Sequence, residues 1–229
     1  MNPLAELEKK IGIDFKNKEL LREALTHRSY LNENPEYKDG NNERLEFLGD
    51  AVLELIVTDE LFKIFPNKEE GELTAYRAAL VNSKMLARVA DTIGLANKIM
   101  VSRGEARELD KAKGRESISA DAVEAVIGAI YLDSGFSSSK KFISKFIFPN
   151  IDEVIISGGK DAKSLVQEIA QEKYKLTPTY KVLDETGPAH DRMFEVGLYF
   201  GSELKARGKG SSKQEAETNA AEKIIDALK

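Results

Sequence analysis

Two stretches of the chain place apolar residues at helical spacing on nearly every side and carry acidic residues among them. The first covers residues 41–62, NNERLEFLGDAVLELIVTDELF, and the second covers residues 117–132, SISADAVEAVIGAIYL. A helix that is apolar on nearly all sides is usually buried. The pattern therefore predicts two buried helices, the second with Ser117 or Ser119 as its N-cap.

Acidic residues fall on one side of each predicted helix. Glu43, Glu46 and Asp50 are spaced i, i+3 and i+7, so Glu46 and Asp50 lie within about 60° of Glu43 around the helix. Asp121 and Glu124 repeat the i, i+3 spacing among small residues that allow another helix to approach. The first set also fits a solvated acidic face, and the second fits a pair that the dipole favours at a helix N-terminus.

The two helices, packed side by side, would gather four or five carboxylates among apolar residues. Repulsion and desolvation oppose the ionisation of such a group unless a cation joins it. Carboxylate oxygens are the ligands of Mg²⁺ and Mn²⁺, and such an ion lowers the pKa of a bound water and offsets phosphate charge. Glu70, just before a further predicted helix, fits either an additional ligand or a partner of that helix dipole.

The rest of the chain up to residue 156 also shows helical patterns. Short helices are predicted between residues 4 and 35, and a longer one over residues 73–93, where Gly94 ends it. His27 fits a partly buried histidine with its hydrogen bonds satisfied better than it fits a catalyst. Residues 102–116, SRGEARELDKAKGRE, are charged and contain two glycines, which predicts a mobile loop.

The last seventy residues change from helical to strand periodicity. Residues 157–160, SGGK, are small and unpatterned, as expected of a flexible linker. A helix over residues 163–174 is followed by a strand at 179–183 and by strict apolar alternation from Phe194 to Phe200. A third strand and a helix that begins at Ser211 or Ser212 complete an α-β-β-β-α order, with both helices on one face of an antiparallel sheet.

Basic residues lie along the third predicted strand. Leu204 and Ala206 are expected on one side of it and Lys205, Arg207 and Lys209 on the other. This arrangement fits either phosphate binding or a basic strand edge that deters aggregation.

The strand leads into a helix N-terminus that carries Ser212 and Lys213, where free N–H groups and the dipole favour phosphate. Gln167 on the preceding helix and a loop at residues 186–190 that contains His190 add polar groups. A helix and a loop that reach successive minor grooves, with basic groups on the phosphates between, recognise double-stranded RNA by shape.

Composition limits the class of protein. The chain has 229 residues, no cysteine and two histidines, which excludes a disulfide framework and a thiolate or His-rich zinc site. The last seventy residues carry no net charge, so the net charge of −5 lies in the part with the acidic helices. No signal peptide and no membrane-spanning run is evident, which favours a cytoplasmic protein without a membrane partner.

Several motifs together resemble a known family. NNERLEFLGDAVLELIV closely resembles the signature of bacterial-type ribonuclease III, and ALTHRSY before it and SADAVEAVIGAIYLD after it match that family in the same order. The segments VQE, TGPAH and GSSKQEAETNAAEKI resemble the double-stranded RNA-binding domain that follows the nuclease domain in that family. The resemblance covers nearly the whole chain.

The resemblance implies an all-α nuclease domain over residues 1–156, a linker over 157–160 and a small α+β RNA-binding domain over 161–229. It implies a homodimeric, Mg²⁺-dependent endonuclease, in which Mn²⁺ can replace Mg²⁺ and which needs no small-molecule cofactor. It would cleave double-stranded RNA to 5′-phosphate and 3′-hydroxyl ends with short 3′ overhangs, with precursors of ribosomal RNA among its substrates.

The resemblance also assigns roles to individual residues. The metal-binding catalytic acids are Glu46, Asp50, Asp121 and Glu124, with Glu43 a further acid at the cleavage site, Glu70 an additional candidate acid and Phe47 a dimer contact. The RNA contacts are Gln167, His190 and Lys213, to which the basic strand adds Lys205, Arg207 and Lys209, and the helix start adds Ser212. Gln214 departs from the family, which often has a second lysine there, and this puts one phosphate contact in doubt.

Two other classes of function remain open at this point. An RNA-binding protein with structural acidic helices would bind duplex RNA without metal-dependent cleavage. A helical Mg²⁺-dependent nucleotide hydrolase would share the acidic helices but would have no use for the α-β-β-β-α module.

Overall fold

The computed structural model describes residues 3–109, 112–188 and 192–228. The chain divides into two units between Gly159 and Lys160, and each unit has an apolar core of its own. Within the described ranges, no helix is long and apolar enough to cross a bilayer.

The first unit is helical, as the sequence predicts. Its helices are α1 (Pro3–Ile11), α2 (Lys18–Ala24), α3 (Arg28–Glu33), α4 (Glu43–Ile64), α5 (Glu70–Val81), α6 (Ser83–Ile93), α7 (Arg103–Leu109), α8 (Ala112–Ser134), α9 (Phe136–Phe146) and α10 (Ile151–Ser157). Short 3-10 turns lie at Ala96–Lys98 and Phe148–Asn150. Helices α4 and α8 pack against each other at the centre, and Leu53, Ile56, Val123 and Ile127 are fully buried.

The predicted helix over residues 73–93 is in fact two helices. Helix α5 ends at Val81 and α6 begins at Ser83, because Asn82 adopts an extended conformation with ψ of 158°. The side chain of Asn82 accepts a hydrogen bond from the N–H of Met85 at 2.9 Å and so caps α6. Gly94 ends α6 in the left-handed conformation, which confirms the predicted end.

The predicted mobile loop at residues 102–116 is wrong, because this segment is largely helical. Helix α7 is capped at its start by the Ser102 hydroxyl, which accepts a hydrogen bond from the N–H of Glu105 at 3.1 Å. Helix α8 already begins at Ala112, so Ser117 and Ser119 lie inside it and are not its N-cap. Residues 112–116 are mostly good helix formers, which lets the helix extend past the predicted start.

The glycines of the predicted linker have defined positions in the first unit. Gly158 ends α10 with a positive φ of 62°. A Cβ on Gly159 would lie 2.6 Å from the carbonyl carbon of Ala75 in α5, so only glycine fits there. The flexibility of residues 157–160 stays a prediction.

The second unit has the predicted α-β-β-β-α order, which confirms the fold class. It consists of α11 (Ala162–Tyr174), β1 (Pro178–Thr186), β2 (Met193–Phe200), β3 (Glu203–Gly210) and α12 (Lys213–Leu228). The strands are antiparallel in the order β1-β2-β3. Leu198 and Phe200 of β2 are buried against Val166 of α11 and Ala220 of α12, so both helices cover one face of the sheet.

A bulge in β3 changes the predicted sides of that strand. Leu198 pairs with Ala206 and Tyr199 pairs with Leu204, which leaves Lys205 without a partner on β2. An extra residue reverses the alternation of side chains at that point. The prediction that Leu204 points to the same side as Ala206 is therefore wrong, and so is the grouping of Lys205 with the basic residues that follow it.

Candidate functional site

Two glycines allow α4 and α8 to meet backbone to backbone beside the acidic residues. A Cβ on Gly49 would lie 1.8 Å from the carbonyl oxygen of Glu124, and a Cβ on Gly128 would lie 2.3 Å from a carbonyl oxygen of α4. Neither distance is possible for a real side chain. Because Gly49 stands between Glu46 and Asp50 in the chain, this contact brings the acidic turns of the two helices together.

Three of the predicted acids form a tight cluster. Glu46 of α4 and Asp121 and Glu124 of α8 each offer one carboxylate oxygen, and these oxygens lie within 4.8 Å of one another. All three side chains are half-buried, and no lysine or arginine of the described residues forms an ion pair with any of them. The cluster is therefore a set of hard oxygen ligands that no lysine or arginine of the described residues neutralises.

The surroundings of the cluster oppose ionisation. Burial raises the pKa of Glu124 to about 8, and negative charges nearby add to this effect. The charges come from Asp50, Asp121, Glu46 and Glu54, in decreasing order. Burial, followed by the charge of Asp121, also raises the pKa of Glu46. A divalent cation would stabilise the ionised carboxylates against both burial and mutual repulsion, so the donor set fits such an ion.

The other predicted acids lie at the edge of this cluster or apart from it. Asp50 is exposed, and its charge reaches both Glu46 and Glu124. Glu43 is also exposed, and it forms an ion pair with Arg28 at 3.5 Å. Glu70 is the first residue of α5, is exposed and is not a member of the cluster.

A fourth acid of α4 extends the row by one turn. Glu54 follows Asp50 at i+4, and its charge contributes to the raised pKa of Glu124. Arg77 of α5 holds Glu54, with its Nε 2.8 Å from the carboxylate, and donates a hydrogen bond from Nη1 to the hydroxyl of Thr58 at 3.1 Å. Arg77 and Arg28 thus lie at opposite ends of this row of acids on α4.

His27 is half-buried and its Nδ1 is hydrogen-bonded, which agrees in part with its interpretation from the sequence. Its Nδ1 accepts a hydrogen bond from the N–H of Ser29 at 3.3 Å and lies 2.8 Å from the Ser29 hydroxyl. That hydroxyl accepts from the N–H of Ser102 and remains free to donate to Nδ1. When the ring is neutral, Nε2 therefore carries its proton. When the ring is protonated, its positive charge opposes the rise that burial gives to the pKa of Asp121.

The N-terminus of α12 is partly occupied by the protein itself. The Ser212 hydroxyl accepts from the N–H of Glu215 at 3.2 Å, and the Glu215 carboxylate accepts from the N–H of Ser211 at 2.9 Å. This reciprocal pattern is close to a capping box. Lys213 is exposed, with its ammonium 5.7 Å from the centre of the Phe194 ring.

The structure separates the predicted RNA contacts into groups on opposite sides of the sheet. Gln167 is exposed on α11, and Lys213 begins α12, and both helices lie on the same face. Arg207 and Lys209 point from the opposite face, where they pair with Glu195 at 3.2 and 3.4 Å. One flat surface cannot contact all four side chains at once.

Lys205 lies near aromatic rings of its own unit. The bulge places Lys205 near the rings of Tyr174 and Phe200, with its ammonium 5.5 and 5.9 Å from their centres, and it pairs with Glu203 at 2.7 Å. Its side chain is thus engaged within the unit. His190 lies outside the described residues.

Comparison with known proteins now identifies the family. A family model described as Ribonuclease-III-like matches residues 17–151, and a model of the double-stranded RNA binding motif matches residues 162–228. A protein of Borreliella burgdorferi named Ribonuclease 3 is 47% identical over 98% of this chain and 91% of its own length. The chain belongs to the ribonuclease III family. The Ribonuclease 3 of Enterococcus faecalis is 44% identical over 97% of this chain and 96% of its own length.

A solved structure supports the assignment for the first unit. The nuclease domain of ribonuclease III from Campylobacter jejuni is 44% identical, covers 64% of this chain and 97% of its own, and superposes with a TM-score of 0.58. As a member of the ribonuclease III family, the protein is an endoribonuclease that acts on double-stranded RNA. The family consists of metal-dependent nucleases, which agrees with the cluster of acids.

Sequence reasoning did not single out three residues of this ribonuclease III site. Glu54 could have been found from its i+4 spacing after Asp50, and Gly49 from its place between two acids. Arg77 gave no signal, because the contact of α5 with α4 depends on tertiary packing.

Proposed function

We propose that the cluster of Glu46, Asp121 and Glu124, with Asp50 at its edge, is the cleavage site and holds Mg²⁺, for which Mn²⁺ substitutes. The observation that carries this proposal is three half-buried carboxylates with oxygens within 4.8 Å and no protein cation among the described residues. The ionised form of carboxyl groups arranged in this way is unfavourable unless a cation joins them. The bound ion would activate a water and stabilise the leaving 3′ oxygen.

The protein residues contribute position and charge to this reaction. Gly49 and Gly128 fix the distance between α4 and α8, and therefore between Glu46 and Glu124. No nucleophilic side chain is needed, so hydrolysis proceeds without a covalent intermediate. The family resemblance supports 5′-phosphate and 3′-hydroxyl ends with short 3′ overhangs as the products. Glu43 borders the site, and its negative charge helps to raise the pKa of Glu46.

We also propose that the enzyme is a homodimer that joins through the exposed side of α4. Phe47, Leu55 and Phe62 are 82%, 59% and 72% exposed, and their spacing places them on one side of the helix. Large apolar side chains in a row on a surface mark an interaction site. The Campylobacter jejuni nuclease domain is described as having a flexible region involved in dimer formation.

The second unit is proposed to hold the duplex through the face covered by its helices. Gln167 and Lys213 are exposed on that face, and His190 is assigned to the minor groove by family resemblance. Precursors of ribosomal RNA and other structured RNAs in the cytoplasm are the proposed substrates.

An end-labelled RNA duplex tests the proposal against the same sequence as DNA. Cleavage of the RNA alone, with Mg²⁺ or Mn²⁺ and not with a chelator, is the expected result, and the products should accept a label on the 3′-hydroxyl. Nucleoside triphosphates should not compete. Tight binding of the duplex without cleavage in either metal would refute the proposal and leave an RNA-binding protein.

A further inference from the structure

The acidic row on α4 ends in an arginine on both sides. Glu43 pairs with Arg28 of α3 at 3.5 Å, and Glu54 pairs with Arg77 of α5 at 2.8 Å. The two acids are eleven positions apart, which is about 16 Å along a helix axis. The clustered acids lie between these ends and have no cation of their own among the described residues. The row is thus negative at its centre and carries positive charge at both ends.

The two arginines differ in how firmly they are held. Arg28 is 71% exposed and has one long contact, so its guanidinium is free to move. Arg77 is fixed at two points one helical turn apart, with its Nε at Glu54 and its Nη1 at Thr58. About a third of the side chain is exposed, at 36%. A guanidinium held at two of its five donors is oriented and still has donors for a further partner.

The position of Arg77 relates it to the cleavage site. Its partner Glu54 follows Asp50 by one helical turn on α4, about 6 Å along the helix axis, so this ion pair lies one turn beyond the edge of the acid cluster. An RNA strand that crosses the cluster brings further phosphates next to the one that is cut. Acids repel those phosphates, whereas a fixed guanidinium binds a phosphate through two parallel hydrogen bonds.

We propose that Arg77 binds a phosphate of the RNA strand adjacent to the scissile phosphate, and that Glu54 and Thr58 orient its guanidinium for this contact. The inference rests on the acid cluster being the cleavage site. It gives Arg77 a role in binding substrate and gives Glu54 a role in positioning Arg77.

The test combines a protein substitution with a neutral linkage in the RNA. Single-turnover cleavage by the full chain in Mg²⁺ is measured on duplexes that carry one methylphosphonate at successive positions around the cut. The 2′-hydroxyl next to that linkage is blocked as 2′-O-methyl, and duplexes with the 2′-O-methyl group alone serve as reference. Arg77→Gln should lower the cleavage rate on the native duplex at limiting enzyme by about 10- to 100-fold.

The coupling between the two changes decides the proposal. At one position next to the cut, the neutral linkage should slow the wild-type enzyme by a similar factor and should slow Arg77→Gln no further. Arg88→Gln is the matched control, since Arg88 pairs with Glu153 at 3.0 Å elsewhere in the unit, and it should retain the full effect of the neutral linkage. Arg77→Lys should cleave faster than Arg77→Gln but more slowly than the wild type, because lysine restores the positive charge without the paired donors of a guanidinium.

Additive effects of Arg77→Gln and the methylphosphonate at every position would overturn the proposal, as would a wild-type rate for Arg77→Gln. A purely structural ion pair predicts that additive result together with equal losses of thermal stability in Arg77→Gln and Glu54→Gln. If the acid cluster were not the cleavage site, Glu124→Gln would cleave at the wild-type rate, which is a different result from the additive one.

Discussion

Gly49 of α4 lies directly against the carbonyl oxygen of Glu124 in α8, so closely that a Cβ at residue 49 would stand 1.8 Å from that oxygen. The same residue that allows the helices to touch also stands between two acids of the site, Glu46 and Asp50. Packing and chemistry are therefore set by one contact, and a change in the helix spacing moves ligands on both helices.

Gly49→Ala tests this relationship. The added methyl group forces the two central helices apart, which should lower the free energy of unfolding by about 3 kcal/mol or more and abolish cleavage. Gly71→Ala is the matched control, because nothing lies within 4 Å of a Cβ at residue 71 in α5, and it should be neutral or stabilising by up to about 1 kcal/mol. Thermal unfolding of both variants measures the difference, and equal stability of the two would contradict the account.

Stability without metal should depend on pH through Glu124. Its pKa is about 8 in the folded protein and near 4.5 when unfolded, so its contribution is fully present below about pH 4.5 and is lost as pH rises through about 8. In chelator at about pH 8, Glu124→Gln should unfold several degrees above the wild type, and the difference should vanish near pH 4.5. Parallel unfolding curves at all pH values would contradict the raised pKa.

The exposed apolar side of α4 should control assembly. Phe47→Asp places a charge in the proposed dimer contact and should convert a dimer into a monomer of 25.4 kDa in sedimentation equilibrium. Ile156→Asp is the control, since Ile156 is 78% exposed on α10 and outside that row, and it should remain dimeric. A wild-type chain that is monomeric at micromolar concentration would refute the proposal directly.

The two faces of the second unit should differ in RNA binding. Lys213→Ala should weaken duplex binding and reduce the slope of log K against log salt by about one, because one phosphate contact is lost. Arg207→Ala should change that slope little, since Arg207 pairs with Glu195 on the opposite face. Binding is measured at several salt concentrations, and a larger slope change for Arg207 than for Lys213 would reverse the assignment of faces.

Much of the fold follows from local pattern. The apolar sides of α4 and α8 predict that these helices are buried, and the apolar alternation of β2 predicts a strand. Both patterns depend only on residues that are near in sequence. The acid cluster was predicted from spacing within each helix and from small residues on the second. The structure brings together Glu46, Asp121 and Glu124 from those two helices.

Two of the wrong predictions come from single residues that act against the local pattern. Asn82 interrupts a continuous helical pattern because its side chain caps the next helix. The extra residue at Lys205 reverses the sides of β3, and no alternation in the sequence reveals it. The pairing of Arg77 with Glu54 depends on how two helices pack, which spacing along one helix does not contain.

The central claim is that the acid cluster performs the cleavage, and Glu124→Gln tests it most directly. Binding and single-turnover cleavage of one RNA duplex are measured for Glu124→Gln in Mg²⁺, beside Glu153→Gln as a carboxylate-to-amide control on α10. The account predicts that Glu124→Gln binds the duplex as the wild type does and loses at least about 100-fold in cleavage rate, while Glu153→Gln cleaves normally. Cleavage by Glu124→Gln at the wild-type rate would contradict it.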